Sequence, residues 1–222
     1  MGISTRNLSK LPGIIELNKV CKSIALLDAI ICPEWEYRYF SFNSKWSTNE
    51  MMASMRNGCG DDYFILFSPT GAIIKGFWHE SPISPYVNGG KVWPGILSDI
   101  PSEFKAFIDE PAFSINDTTF CLWQLLSDDK WMTGKVVFPP EIETEYDDPD
   151  GSEYLLFILD GNYNTYREWA EEYYERSLDT QVIKDIYNHK PLDDKMVKLI
   201  NPEMSIEKLR IDIDEIGYPC NI

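Results

Sequence analysis

The chain has 222 residues, 44% of them hydrophobic and 14% aromatic, enough to build a core without disulfides or metal. Its 36 acids against 20 bases leave a net charge of −16. Nucleic acid and an anionic membrane are therefore excluded as principal partners, because both require a basic footprint. The opening Met1–Arg6 is polar with no apolar run close behind, so no signal peptide is expected. Arg6 stands where N-myristoylation needs Ser or Thr. Cys21, Cys32, Cys59, Cys121 and Cys220 are scattered with no Cys-x-x-Cys pair, which points to a reduced, cytoplasmic protein without a zinc ribbon or disulfide framework.

Leu17, Val20, Cys21, Ile24, Leu27 and Ile31 recur at helical spacing, and Pro33 stops that helix. Residues 37–43, rich in aromatics, read as a strand. Ser47-Thr48-Asn49-Glu50 has the form of a capping box, predicting a short helix through Met51, Met52 and Met55 that ends at Gly58. Residues 63–78 read as a hairpin about Ser68-Pro69-Thr70-Gly71. A Pro/Gly-rich connection at 80–101 leads to a helix at 102–108 capped by Ser102. Two further strands, 118–125 and 131–138, are joined by a turn at Ser127-Asp128-Asp129-Lys130. Residues 153–159 form a near-continuous apolar run of the buried-strand kind. Thr165 to Glu168 is a second capping box, opening a helix that covers 169–177, with more helices near 181–187, 193–199 and 205–211. About six strands in two hairpin clusters, set among helices, predict a single α+β domain over 1–222. Its sheet is largely antiparallel, and 165–222 form a helical C-terminal subregion.

Between Lys135 and Arg167 there is no base and there are eight acids: Glu141, Glu143, Glu145, Asp147, Asp148, Asp150, Glu153 and Asp160. Such a block speeds encounter with a basic partner, and it also reads as a solvated loop. Trp93, inside the 82–95 loop, is the tryptophan expected to be exposed for recognition. Asp160, Asn162, Asn164 and Glu171 follow calcium-loop spacing, but Thr165 occupies the position that needs glycine, so a strand-to-helix turn explains them better.

The hairpin could bring Cys59, Asp61 and Asp62 beside His79 and Glu80. A thiolate with an imidazole base and an orienting carboxylate is sound nucleophilic chemistry, and the same groups could hold a divalent metal. Gly58 and Gly60 beside Cys59 also fit a simple turn. No dinucleotide fingerprint, P-loop, Gly-x-Ser-x-Gly or His-Glu-x-x-His motif occurs, and no cofactor or resident metal is expected.

Thr119-Phe120-Cys121-Leu122-Trp123, Trp131, Gly134 and Asp148-Pro149-Asp150-Gly151-Ser152 resemble a pattern in uncharacterised soluble bacterial proteins. So does Tyr166-x-x-Trp169-Ala170-Glu171-Glu172-Tyr173-Tyr174-Glu175. In charge, aromatic content and architecture the chain also resembles the SUKH superfamily of bacterial immunity proteins. The leading expectation is a non-enzymatic module that binds a basic partner through its acidic face, with 141–153 and the 82–95 loop around Trp93 in contact. The resemblance implies a toxin-neutralising immunity role as its most concrete form. The alternative expectation is a small hydrolase or metal-dependent enzyme built on Cys59, Asp61, Asp62 and His79.

Overall fold

The computed structural model describes residues 2–221. Six antiparallel strands lie in chain order: β1 (Phe40–Ser47), β2 (Glu50–Arg56), β3 (Asp62–Ser68), β4 (Gly71–Phe77), β5 (Phe120–Leu125) and β6 (Met132–Thr133). Among the described residues eight α-helices complete an α+β fold: α1 (Ile14–Ile31), α2 (Lys105–Asp109), α3 (Pro140–Glu145), α4 (Ser152–Leu156), α5 (Tyr163–Tyr173), α6 (Thr180–Tyr187), α7 (Asp194–Ile200) and α8 (Arg210–Ile216).

Alternation along the strands sorts the core onto two faces. Phe42, Ala53, Ile65, Ile74 and Leu122 turn toward α1 and the C-terminal helices. Phe64, Leu66, Ile73, Cys121 and Trp123 turn the other way, where Ile83, Ile96, Phe104, Phe107 and Phe113 cover them. The Pro/Gly-rich connection thus has a structural role, since it roofs the second face. The last two turns of α1 are buried all round, which places that helix at the centre of the first layer.

The hairpin at 63–78 forms as read, with Ile65 opposite Ile74 and Ser68 opposite Gly71. On the helical face the Phe120 ring lies directly over Gly76, so a Cβ there would sit 2.0 Å from the ring tip. Gly76→Ala should lower unfolding free energy by about 1–3 kcal/mol through overpacking. Urea melts measure this, and a loss below a few tenths would mean the ring moves aside freely.

Five local expectations are corrected. Residues 47–58 hold no helix: Thr48-Asn49 is the turn between β1 and β2, with Asn49 at φ 63, and Glu50–Arg56 is a strand. Asn tolerates this left-handed conformation, and Ala53 and Met55 bury against the first core while Arg56 is exposed. Residues 153–159 are helical rather than a strand, because Leu155, Leu156, Ile158 and Leu159 are buried while Tyr154 and Phe157 face out. The 131–138 strand shrinks to Met132–Thr133. Ser102 caps no helix with its side chain, and Thr165 lies inside α5, whose cap is Asn162 accepting from the Asn164 N–H.

Candidate functional site

The turn from Asn57 to Asp61 joins β2 to β3, and the chain leaves β4 beside it at Trp78-His79. Asn57 Oδ1 accepts from the Cys59 N–H at 2.9 Å and the Asp61 N–H at 3.1 Å. Asn57 Nδ2 donates to Asp61 Oδ2 at 2.6 Å. Asp61 is 4% exposed, and its other oxygen accepts from the His79 backbone N–H at 2.9 Å and lies 2.6 Å from His79 Nδ1. The bond from Asp61 holds the imidazole above the usual histidine range and fixes the ring with Nδ1 toward the carboxylate. Nε2 stands 4.0 Å from Glu80 Oε1.

Pairing of β3 with β4 therefore brings Asp61, His79 and Glu80 together, but not the whole expected set. Cys59 is exposed and makes no hydrogen bond to the imidazole. Asp62 points to the opposite sheet face and accepts from Lys75 Nζ at 2.7 Å. The relay of thiol, imidazole and carboxylate is thus not assembled, and the two neighbouring aspartates cannot share a metal, because successive strand residues face apart. Among the described residues no group of three His, Cys, Asp or Glu side chains is arranged to hold a metal ion. What is assembled is an Asp–His pair that latches the exit of β4 to the entry of β3, with three hydrogen bonds on the Asp61 carboxylate.

In the acidic block, Glu141, Glu143 and Glu145 project from α3 and Asp147 follows, all four exposed. Ile142 packs this helix against the second core. Two of the expected contact residues belong elsewhere. Asp150 is 2% exposed, accepting from Thr5 Oγ1 and from the Ser152 N–H and hydroxyl, so it binds the N-terminal arm instead of a partner. Asp148 is half-buried and accepts from the Tyr154 N–H at 3.0 Å at the start of α4. Burial raises its carboxyl to about 6. Gly151 completes this turn at φ 74, where a Cβ would meet the Trp78 side chain at 2.5 Å. Trp93 is half-buried rather than exposed: it packs on the second core and donates Nε1 to the Val137 carbonyl at 3.3 Å. The exposed large hydrophobic residues of that loop are Tyr86 and Val87, and among the described residues the exposed tryptophan is Trp35.

The calcium-like oxygens are consumed locally. Asp160 accepts from the Asn162 N–H and the Thr165 hydroxyl, while Glu171 pairs with Arg167 and accepts from the Leu178 N–H. Among the described residues no helix is long and apolar enough to cross a membrane. Comparison of the chain with family models, curated proteins and solved structures finds no match.

Sequence reasoning passed over two buried charges and one groove. Asp28 is wholly buried, accepting from the Tyr39 and Phe40 N–H groups at 2.8 and 2.9 Å and from Tyr166 Oη at 3.1 Å. Lys75 is wholly buried against Asp62. Each has a legible signal, a single charge inside an apolar run. The groove, beside Trp35, comes from strand register, which spacing alone does not reveal.

Proposed function

We propose that the chain is a non-enzymatic binding module whose acidic α3 face captures a basic partner protein. In its most concrete form it is a bacterial immunity protein that neutralises a toxin. One observation carries this reading. Glu141 and Glu143, in the first turn of α3, favour the positive end of the helix, but Glu145 closes the helix at its negative end, and Asp147 follows it. The local fold is repelled by those two charges, and among the described residues no cation pairs with Glu141, Glu143, Glu145 or Asp147. Their lack of an internal partner supports pairing with a cation from outside the chain.

The packing of Ile142 and the bond from Trp93 to the Val137 carbonyl present the charges from a fixed platform, which favours rapid, steered association. Five free cysteines support a reducing, cytoplasmic setting. The competing enzymatic reading retains only the Asp61–His79 pair.

The test compares affinity capture from the native lysate by the tagged chain and by a Glu143→Lys/Glu145→Lys/Asp147→Lys variant. Asp148 and Asp150 are left intact because they hold α4 and the N-terminal arm. The parent chain should retain a stoichiometric basic protein that high salt releases, and the variant should retain at least about tenfold less. Equal capture by a variant with an unchanged melting temperature would overturn the assignment.

A further inference from the structure

Lys75 and Asp62 have a consequence across the sheet. Arg56 on β2 stands directly opposite Asp62 on β3, the register in which an ion pair would be expected. Asp62 instead bonds Lys75 at 2.7 Å. The exposed Arg56 guanidinium is left 5.3 Å from the centre of the Phe64 ring and, among the described residues, in no ion pair.

Next to it, Ser41 on β1 faces Ser54 on β2, and their hydroxyls lie 2.7 Å apart. Two hydroxyls carry two protons, and their mutual bond uses one, so one O–H donor is left over. Ser54 is only 6% exposed. These residues line two adjoining cavities of about 180 and 200 Å³, which share Trp35, Arg38, Ser41, Ser54 and Arg56. Arg38 forms a wall, four of its five N–H donors taken up by Asp212 and by the carbonyls of Cys32 and Pro33. Trp35, 64% exposed, stands at the lip with its indole unburied.

We infer that this groove binds a single carboxylate carried on a planar apolar group. Arg56 supplies a two-pronged, charge-assisted contact, the Ser41–Ser54 pair supplies a further donor, and Trp35 supplies a face for the ring. Glu36 and Glu215 at the margins limit the ligand to one negative charge. The same chemistry is offered by a free aromatic acid and by a polypeptide ending in an aromatic residue. The inference is independent of the acidic α3 face, which lies on other elements.

The test titrates the ¹⁵N-labelled chain with benzoate, with N-acetyl-phenylalanine and with the neutral isostere benzamide, following amide and arginine Nε–H signals. Saturable shifts at Ser41, Ser54 and Arg56 are expected at millimolar benzoate or N-acetyl-phenylalanine, as suits ligands of this size. Whichever of the two binds more tightly identifies the source. Benzamide should bind at least about tenfold more weakly. Arg56→Gln, at an exposed position, should weaken benzoate about tenfold, with Arg56→Lys intermediate because it keeps the charge and loses the fork. Absence of shifts with both acids, benzamide binding as well as benzoate, or an Arg56→Gln variant with unchanged affinity would each overturn the assignment.

Discussion

Acidification from about pH 7.5 to pH 5 should stabilise this fold, and Asp28→Asn should remove the share of that gain that Asp28 carries, about 1–2 kcal/mol. Burial is the main cause that raises the Asp28 carboxyl from 3.8 to about 6, and the two N–H groups and the Tyr166 hydroxyl bonded to it oppose the rise only in part. For a carboxyl whose folded pKa lies above its unfolded one, the folded state binds the extra proton. Stability is therefore gained as pH falls through about 6 toward 3.8, and the penalty stands in full above pH 6. A shift of about two pK units corresponds to ~3 kcal/mol at pH 7.5.

Asp148 and Asp62, both raised by burial, act in the same direction, as does His79, whose raised value favours its charged form in the fold. His189 opposes them, since burial lowers it and acid must charge it. Asp185 and Asp194, lowered by their lysine partners, add stability that fails only in stronger acid, where they become protonated. In Asp28→Asn an oxygen still faces the Tyr39 and Phe40 N–H groups, and the amide nitrogen can donate to Tyr166 Oη. Urea melts should show the variant gaining on the parent at pH 7.5 by up to ~3 kcal/mol, with the gain falling to about 1 kcal/mol near pH 4.5 and vanishing only below pH 3.8. A variant with the parent's full pH slope would assign the effect to other groups.

The same residues show how far the sequence could be read. The hairpin at 63–78 was legible because proline and glycine fix its turn and both strands are apolar on both faces, as a covered sheet requires. The segment beginning at Ser47 misleads because Ser-x-x-Glu matches a capping box while methionine fits strand and helix alike; only the strands on either side decide. The run at 153–159 misleads because an uninterrupted apolar stretch carries no period. At the candidate site the nearness of Asp61 to His79 follows from the hairpin. The separation of Asp62 follows from strand alternation, once the start of β3 is known to within one residue. Burial of Asp150 was not legible, since its partner Thr5 lies 145 residues away and a turn sequence says nothing of what docks on it.

Lys75→Met should cost about 3–5 kcal/mol, and adding Asp62→Leu should restore most of it. The Lys75 ammonium is wholly buried, 5.3 and 5.8 Å from the centres of the Phe64 and Phe77 rings, with Asp62 as its one close carboxylate. Burial lowers the lysine and raises the aspartate, each toward its neutral form, and their mutual attraction opposes both shifts. Desolvation thus outweighs attraction, so the pair adds little net stability while either partner alone is costly. Met reproduces the length of the lysine stem, which isolates the charge. In the single variant the nearest cation to Asp62 is Arg56, opposite it in register, and the exposed guanidinium should turn to the orphaned carboxylate. Benzoate affinity should then fall along with stability, and both should recover in the double variant. A Lys75→Met cost below about 1 kcal/mol would show that water reaches the pair, and a loss of stability with unchanged benzoate binding would separate the buried pair from the groove.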